Sequence, residues 1–482
     1  MVDNNAIRIK RELITKISEL TFEGRLVEEI DRVPIEKFPK GGTSTRCCVY
    51  KSRAITKYRI MALLGFRVED EEDELKSLSE YAKESLDRRN VSSPVLTVID
   101  EACSACVRVN YFVTDACKGC LARPCVINCP KGAIEIRDGR AHIDPDKCVN
   151  CGLCMKVCPY HAIIYVPVPC EDICPVGAIS KDETGKEHID YEKCIYCGKC
   201  MVVCPFSAIV ECSQLIDVIK HLKSDRKVIA LFAPALVGQF RAPMEKIAGA
   251  IIELGFDDVY EVALGAEVTA HNEAIEFKER VLEGENKFMT SSCCPAYVEM
   301  VKKHIPELKS FVSTTRSPMH YTAQMLREKF PNAVLVFISP CVAKRNEALH
   351  DEYVDYVLSF EELGCMFIAK GIDVDSAKEY TPKQRAHKSG RGFPVIGGVS
   401  EALRSYLSDG DKQRLAPMPI NGIDRKSITL LKAMTNKPLP NVNFVEVMTC
   451  EGGCVGGPTV ISLPKIASSK IKKWIESDEA NK

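Results

Sequence analysis

The sequence has almost no net charge, no long hydrophobic run and no clustered histidines. Lys and Arg number 65 against 66 Asp and Glu, a net charge of −1, which argues against a mainly electrostatic binder of nucleic acid or membrane. No apolar run approaches the roughly 18 residues of a transmembrane helix. The first residues, MVDNNAIRIKRELITK, lack the apolar segment of a secretion signal, so a cytoplasmic protein is expected. None of the nine histidines is spaced as a metal ligand.

Cysteine, in contrast, is abundant, with 25 in 482 residues and most of them in C-x-x-C clusters. A chain of this length builds about two to four domains with large cores and does not need disulfides for stability. Clustered thiols in a protein without an export signal more often bind metal. Sulfur ligands favour either zinc or iron–sulfur clusters.

Four copies of a CPxxAI segment mark an internal repeat, at Cys129, Cys158, Cys174 and Cys204. The second and fourth copies each follow a C-x-x-C-x-x-C run, and the cysteine spacing recurs after 45 to 46 residues. Residues 101–212 are therefore predicted to be a duplicated unit, since a fixed repeat period indicates repeated structure.

The C-x2-C-x2-C-x3-C-P spacing is that of bacterial ferredoxins, in which the fourth cysteine binds the other cluster of a pair. Zinc is disfavoured because zinc sites separate two C-x2-C pairs by a longer segment. The first unit predicts two 4Fe–4S clusters, one on Cys117, Cys120, Cys125 and Cys158 and one on Cys129, Cys148, Cys151 and Cys154.

The second unit is incomplete in the sequence. One cluster is predicted on Cys174, Cys194, Cys197 and Cys200. A fourth cluster on Cys170 and Cys204 would need two more ligands. The upstream pair Cys103 and Cys106 supplies them if that cluster exists. If Cys103 and Cys106 are ordinary thiols, the region holds three accessory clusters instead of four.

The predicted fold class is α/β and α+β, in three parts. Residues 1–100 are mostly helical, with helical stretches near Ile7–Ile30 and Thr56–Leu86, and carry no assignable motif. Residues 101–212 are the ferredoxin-like region. Residues 213–482 alternate helical stretches, such as Thr314–Phe330 and Glu401–Ser408, with the buried strand-like runs KVIALFAPA, DVYEVAL, NAVLVFIS and NVNFVEVM.

Five cysteines of the last part occur in three motifs, SSCCPAYVEM, SPCVAKRNEA and EVMTCEGGCVGGP. Each motif follows a strand-like run, so the thiols are expected to converge at one sheet edge. Cys294, Cys341, Cys450 and Cys454 would supply four ligands to a further cluster. The glycines suit close backbone approach to a bulky cofactor. Buried free cysteines explain one such residue but not three motifs together.

With these motifs, residues 101–482 resemble iron–iron (FeFe) hydrogenases, and the SSCCPAY and SPCVAK forms resemble the group B branch. The resemblance implies an H-cluster, a 4Fe–4S cube joined to a diiron unit with CO, cyanide and azadithiolate. Cys294, Cys341 and Cys450 would hold the cube, and Cys454 would hold it and bridge to the diiron unit.

The resemblance also implies residues around the diiron unit. Lys344 would donate to a cyanide with Glu347 as a supporting charge. Met448 would pack on one side, and Ala233 and Pro234 would line the other. Four departures from the family pattern, at Ala235, Ser339, Met319 and the segment FPVIGGVSEA, change hydrogen bonds and packing there.

A proton relay is implied as well, running through Cys293, Glu273, Ser313, Glu276 and Arg280. A thiol beside the diiron unit exchanges protons as a general acid or base. The spacing of residues 273, 276 and 280 independently places them on one helix face. The alternative is a solvated face with a Glu276–Arg280 ion pair.

The expected activity is 2H⁺ + 2e⁻ ⇌ H₂ in an anaerobic, cytoplasmic enzyme that receives electrons from a ferredoxin-like carrier and its H-cluster from maturation proteins. Three alternatives stay open: a hydrogen sensor, an iron–sulfur assembly factor and a subunit of an electron-bifurcating complex. The short C-terminal tail and Cys293 speak against the sensor. Cys47 and Cys48 either pack in the N-terminal part, which is preferred, or contact a partner, and Cys212 and Cys365 are expected in the core.

Overall fold

The structure is a computed structural model that describes residues 4–44, 46–88, 91, 93–103, 106–107 and 110–479, with the side chains of 477–479 excepted. The first part of the chain consists of five helices: α1 Asn5–Glu23, α2 Leu26–Glu29, α3 Val33–Lys37, α4 Val49–Leu63 and α5 Leu78–Asp87. A side-chain oxygen of Asn4 caps α1, and Gly24 ends it in a left-handed conformation.

Two predictions for the N-terminal part are wrong. The helix predicted over Thr56–Leu86 is two helices, because α4 ends at Leu63 and α5 begins only after Ser77, which forms a capping box with Glu80. Cys47 and Cys48 lie directly before α4 and are exposed rather than packed. Cys212 and Cys365, in contrast, are buried as predicted.

The cysteine-rich region is built from short strands and single-turn helices. In chain order these are β1 Leu96–Val98, β2 Tyr111–Val113, α6 Pro124–Ile127, β3 Ile134–Arg137, β4 Arg140–Ile143, α7 Leu153–Val157, β5 Ile163–Tyr165, α8 Pro169–Ile173, β6 Ile179–Lys181, β7 Glu187–Ile189, α9 Lys199–Val203 and β8 Ile209–Glu211. They form four antiparallel pairs, β1 with β8, β2 with β5, β3 with β4, and β6 with β7.

The pairing shows that one ferredoxin-like unit is inserted into the other. The unit of β2 to β5 lies between β1 and the rest of the unit that contains β6, β7 and β8. The two ends of the insertion meet, since the N–H of Val166 donates to the carbonyl of Asn110 at 2.6 Å. The second unit is therefore complete, and its first half, with β1, Cys103 and Cys106, starts before residue 101.

The last part is a parallel α/β structure. Its elements are α10 Leu215–Leu222, β9 Val228–Phe232, α11 Met244–Leu254, β10 Asp258–Glu261, α12 Ala263–Phe277, β11 Met289–Thr290, α13 Pro295–His304, α14 Pro318–Lys329, β12 Val334–Ser339, α15 Val342–Ala348, β13 Tyr356–Ser359, α16 Phe360–Ala369, α17 Lys388–Arg391, α18 Gly398–Tyr406, α19 Asp409–Arg414, β14 Pro417–Asn421, α20 Arg425–Asn436, β15 Phe444–Met448 and α21 Pro464–Glu479. The predicted strands are all present. The predicted helix at Thr314 begins only at Pro318, and the one at Glu401 begins already at Gly398.

The strands form two parallel sheets, one in the order β10-β9-β12-β13 and one in the order β11-β15-β14. β9 and β12 are buried at every position, which explains their unbroken apolar sequences, because helices cover both faces of a parallel sheet. The predicted fold class, α/β with a ferredoxin-like α+β region, is confirmed. Among the described helices, none is long and apolar enough to cross a bilayer.

A buried ion network joins the three parts of the chain. Lys10 of α1 pairs with Glu361 of α16 at 2.7 Å and lies 3.5 Å from Glu211 of β8. Arg345 of α15, a fully buried side chain, pairs with Glu362 at 2.7 Å and with Glu211 at 3.3 Å. Because breaking a buried pair leaves an uncompensated charge, this network fixes how the parts are docked.

Candidate active site

Three chain segments bring four cysteines to the carboxyl ends of parallel strands. Cys294 follows β11 and precedes α13, and Cys341 follows β12 and precedes α15. Cys450 and Cys454 follow β15. The prediction of one sheet edge is wrong, because β11 and β15 belong to the small sheet and β12 to the large one. The site forms where the carboxyl edges of two sheets meet.

The four thiols are close enough to affect one another's ionisation. Burial raises the pKa of Cys450 well above its usual value, and negative charges on Cys341, Cys294 and Cys454 raise it further. Burial, together with Cys341 and Cys294, raises the pKa of Cys454 to about 12. The structure thus brings together the four cysteines that the sequence analysis grouped as ligands.

This donor set fits a thiolate-ligated iron–sulfur cube. The raised pKa values of Cys341, Cys450 and Cys454 keep these thiols protonated until a soft metal displaces the protons. All four residues retain some exposed surface although protein surrounds them, as side chains on the wall of a cavity do. Four sulfurs are the number that a 4Fe–4S cube takes. Among the described residues, no three His, Cys, Asp or Glu side chains are placed to hold a single metal ion.

The glycines of the CEGGCVGGP motif allow the three segments to approach each other. A Cβ on Gly453, which has a φ of +92°, would lie 2.5 Å from the carbonyl oxygen of Pro394. A Cβ on Gly457 would lie 2.4 Å from the carbonyl oxygen of Pro340, next to Cys341. These two glycines therefore serve contact between protein segments, where the sequence analysis expected close approach to the cofactor.

Lys344 is held in a short hydrogen-bonded chain. Its Nζ donates to Oε2 of Glu347 at 2.6 Å, and Oε1 of Glu347 accepts from the hydroxyl of Ser317 at 2.6 Å. Burial lowers the pKa of Lys344, but the Glu347 carboxylate and the negative charges of Cys341 and Cys293 outweigh it, so the pKa is raised. Lys344 is thus a fixed cation beside the four cysteines.

Two apolar walls flank Cys454. Met448 at the end of β15 and Cys293 belong to one buried hydrophobic cluster, and Cys454 packs against it. Ala233 and Ala235, in the turn after β9, belong to the main core, against which Cys454 also packs. Met448 and the turn that begins at Pro234 thus both lie near Cys454, and their role beside a diiron unit stays a prediction.

The expected relay residues lie close to one another. Cys293 is buried, and after burial itself the charge of Glu273 is the main cause that raises its pKa. The hydroxyl of Ser313 donates to Oε2 of Glu276 at 2.6 Å, and Arg280 pairs with Oε1 of the same residue. Arg280 lies in a π-helical turn, Lys278–Leu282, that continues α12 toward the surface.

Glu273 is the buried centre of this chain, which contradicts a fully solvated helix face. Glu273 is 0% exposed, and its pKa is raised to about 7. Burial is the main cause of this rise and the charge of Glu276 adds to it, whereas the hydrogen bond from the N–H of Ser292 lowers the pKa. Oε1 accepts from that N–H at 3.1 Å, whereas Oε2 has no hydrogen-bond partner among the described residues. A carboxyl group with this pKa exchanges protons near neutral pH.

Sequence reasoning missed two residues of the site. Ser292 donates to the carbonyl of Thr315 at 2.6 Å and its hydroxyl lies 3.3 Å from Oε1 of Glu273. Glu446 is a buried carboxylate whose charge reaches Cys454, and burial raises its own pKa. Two features of the sequence could have pointed to them: Ser292 directly precedes Cys293, and Glu446 is the single acid in the apolar strand VEVM.

The ferredoxin-like cysteines also lie in four sets. Mutual charge effects link Cys125 with Cys120 and Cys158, Cys154 with Cys129, Cys148 and Cys151, and Cys200 with Cys174, Cys194 and Cys197. In each CPxxA segment the alanine N–H donates to the cysteine sulfur four residues earlier, at 3.3 Å for Cys129, 3.4 Å for Cys158, 3.2 Å for Cys174 and 3.4 Å for Cys204. Such hydrogen bonds help to set the potentials of iron–sulfur clusters.

The fourth set is formed across the insertion. Burial, Glu187 and then the charges of Cys204, Cys106 and Cys103 raise the pKa of Cys170. Insertion of the first unit thus separates Cys103 and Cys106 from Cys170 in sequence but not in space.

The third set adjoins the catalytic cysteines. The charge of Cys197 contributes to the raised pKa of Cys450. A Cβ on the neighbouring Gly198 would lie 2.8 Å from Pro458 and 3.3 Å from Val342. This contact joins the ferredoxin-like region to the candidate active site.

Comparison with protein families agrees with this division of the chain. Residues 226–458 match the model described as the C-terminal domain of the iron only hydrogenase large subunit. Residues 141–164 and 187–210 match the 4Fe-4S binding domain.

Several curated relatives are hydrogenases. Iron hydrogenase 1 of Clostridium pasteurianum is 29% identical over 44% of this chain and 44% of its own length. The NADP-reducing hydrogenase subunit HndD of Solidesulfovibrio fructosivorans is 26% identical over 52% of each. The periplasmic Fe hydrogenase large subunit of Nitratidesulfovibrio vulgaris is 28% identical over 65% of this chain and 85% of its own length. The chain spans about half the length of the first two.

Other similar proteins are more distant. A probable cytosolic Fe-S cluster assembly factor of Drosophila erecta is 24% identical over 44% of this chain and 55% of its own length. A solved structure of an apo FeFe-hydrogenase HydA1 variant from Chlamydomonas reinhardtii is 24% identical, with a TM-score of 0.42 over 52% of this chain and 84% of that chain.

Proposed function

This chain is an FeFe-hydrogenase-like protein, and from that premise we propose that it catalyses 2H⁺ + 2e⁻ ⇌ H₂ at an H-cluster fed by accessory 4Fe–4S clusters. The observation that carries the proposal is the chain of contacts from Cys293 through Glu273 and Ser313 to Arg280. A protein that only stores or transfers clusters has no use for a buried path for protons beside them.

In this proposal Cys294, Cys341 and Cys450 would hold the cube, and Cys454 would hold both the cube and the diiron unit. When bound, the H-cluster supplies the redox and hydrogen-binding chemistry. Lys344, fixed by Glu347, provides a cation for a cyanide ligand. Met448 and the Ala233–Pro234 segment exclude water from the apolar sides.

The protein's own residues move the proton. Cys293 Sγ exchanges a proton with the Glu273 carboxyl group, whose pKa of about 7 suits both directions. The Ser313 hydroxyl connects Glu273 to Glu276, and Glu276 exchanges with solvent beside Arg280 at the surface. Ser292 holds Oε1 of Glu273 and so leaves Oε2 for the transfer.

The ferredoxin-like region would carry electrons over four accessory clusters, held by the four cysteine sets described above. A ferredoxin or a similar carrier would supply them in an anaerobic cytoplasm, and maturation proteins would insert the diiron unit. The division into a helical part of residues 1–100, a ferredoxin-like part of 101–212 and a catalytic part of 213–482 belongs to this proposal, with β1 assigned to the ferredoxin-like fold.

Replacement of Cys293 tests the proposal. In matured protein, Cys293→Ser is expected to evolve hydrogen from a reduced dye at least about 100-fold more slowly, because positioned proton transfer contributes about 10²- to 10⁴-fold. Its iron content should equal that of the wild type. Cys365→Ser, in a buried thiol remote from the relay, is the matched control and should turn over normally. Wild-type turnover by Cys293→Ser would refute the relay through Cys293, and a matured wild-type protein without hydrogen turnover would refute the proposed activity.

A second candidate function is iron–sulfur assembly, which the similarity to the Drosophila erecta factor favours. An assembly factor would transfer clusters to apo-proteins and evolve no hydrogen after maturation. Hydrogen turnover above the level of the Cys293→Ser variant excludes this candidate.

A further inference from the structure

Two arginines of the N-terminal helices contact the loop that carries Cys204. Arg46 precedes α4, and Arg59 lies within it. Both guanidinium groups donate to the carbonyl oxygen of Phe206, at 3.3 Å from Arg46 and 3.0 Å from Arg59. The guanidinium of Arg46 also lies 4.9 Å from the centre of the Phe206 ring. The contacted loop is the one whose Ala208 N–H donates to Cys204 Sγ.

These two cations have no anionic side chain to pair with. Within the described part of the chain, neither arginine has a carboxylate at ion-pair distance, and Nε of Arg59 is buried without a hydrogen-bond partner. Burial and, after it, the charge of Arg46 lower the pKa of Arg59 to about 10. The opposing influence is a negative charge at Cys204.

Two neighbouring cations that are partly buried without a counter-ion destabilise the folded protein. A cube with four thiolate ligands is negatively charged, and it gains a further negative charge on reduction. Its potential depends on nearby charge, hydrogen bonds and exposure to solvent. A cluster on the set that includes Cys204 would therefore supply the missing counter-ion, and the arginines would favour its reduced form.

We propose that Arg46 and Arg59 are positioning residues that raise the reduction potential of the fourth accessory cluster, on Cys103, Cys106, Cys170 and Cys204. The inference rests on the cluster assignment in the proposed function. The cluster takes one electron from the inserted unit and passes it to the third set, whose Cys200 lies within electrostatic reach of Cys170. The N-terminal helices, otherwise without a function, thus provide its electrostatic cover.

The test is a redox titration of the full-length, cluster-loaded protein followed by electron paramagnetic resonance. The signal of the fourth cluster is identified as the one that disappears in Cys103→Ala/Cys106→Ala. In Arg59→Gln we expect about tenfold less reduced cluster at a fixed potential, a negative shift of about 59 mV for one electron. Arg46→Gln should shift it in the same direction.

Two variants separate charge from structure. Arg59→Lys retains the charge and should keep most of the wild-type potential. Arg53→Gln is the matched control on the same helix, because Arg53 donates to the carbonyl of Phe38 instead, and it should leave the potential unchanged. An unshifted potential in both Arg59→Gln and Arg46→Gln, with the signal present, overturns the inference.

Iron counting distinguishes this failure from that of the cluster assignment. Cys103→Ala/Cys106→Ala should lose about four iron atoms per chain, the content of one cube. An unchanged iron count would mean that no fourth cluster exists, which would overturn the arginine inference and the four-cluster part of the proposed function while leaving hydrogen turnover untouched.

Discussion

Glu273 and Glu446 are two buried carboxyl groups of the candidate site that have different surroundings. Glu446 accepts hydrogen bonds from the N–H groups of Gly397 and Ser400 and from the Ser400 hydroxyl, at 2.7 to 2.9 Å. Glu273 keeps one oxygen without a partner. Hydrogen bonds to a carboxylate favour its charged form. We therefore expect Glu446 to hold the start of α18 in place and Glu273, with its unbound oxygen, to exchange protons.

Ionisation of Glu273 should lower the free energy of unfolding of the protein. Its pKa is about 7 in the folded protein against 4.5 for an ordinary Glu, so the wild type loses stability as the pH rises from about 4.5 to about 7, and no more above that. Glu273→Gln cannot ionise. Near pH 8 its free energy of unfolding should therefore exceed that of the wild type by up to about 3 kcal/mol, and it should unfold at a higher temperature. Near pH 4.5 the two proteins should unfold at a similar temperature. A difference that does not change with pH would contradict the buried, protonated carboxyl group.

At this scale the sequence grouped most of the site correctly, because cysteine spacing reflects the geometry of the cluster and the motifs reflect the family. The structure brings together Cys293, Glu273, Ser313, Glu276 and Arg280 as the resemblance implied. Ser292 and Glu446 were missed because their hydrogen bonds join segments that are distant in the sequence. The exposure of Cys47 and Cys48 was missed because a short apolar pattern does not reveal whether a helix start is covered.

At the scale of elements, the site depends on how tightly the loops after β12 and β15 pack. Gly457 has an ordinary φ of −61°, so only the 2.4 Å approach of its Cβ position to the Pro340 carbonyl requires glycine. The loop that carries Cys454 is thereby held against the one that carries Cys341.

Gly457→Ala should separate these two loops. We expect matured protein to lose most of its hydrogen turnover, at least about tenfold, while the signals of the accessory clusters persist. Gly410→Ala is the control, because a Cβ there meets no atom within 4 Å. Equal turnover of Gly457→Ala and wild type would show that the loop spacing does not matter.

The strands of the catalytic part were predictable because buried parallel strands are continuous apolar runs. Their division into two sheets was not, since periodicity does not reveal which strands pair. The same limit hid the nested ferredoxin-like fold: β1 has only three residues, and its partner β8 follows more than 100 residues later. The break between α4 and α5 was hidden because the charged segment after Arg67 continues a helix-like pattern.

At the scale of the whole molecule, the nested arrangement orders the proposed electron path. The first two cysteine sets lie in the inserted unit, and Cys197 of the third set lies within electrostatic reach of Cys450. Electrons from a carrier would thus pass through the inserted unit before they reach the enclosing one.

Excision of the inserted unit tests this order. Asn110 and Val166 are hydrogen-bonded at 2.6 Å, so residues 111–165 can be replaced by a short glycine linker. The shortened protein should lose about eight iron atoms, those of two cubes, retain dye-driven turnover within about threefold of the wild type, and lose turnover driven by ferredoxin. Unchanged ferredoxin-driven turnover would place the carrier elsewhere.

The infrared spectrum of the matured protein most directly tests whether the convergent cysteines carry an H-cluster. The account predicts stretching bands of iron-bound CO and cyanide in the wild type and their absence in Cys454→Ser, which retains the accessory clusters. A fully iron-loaded wild-type protein that shows no such bands after maturation would contradict it.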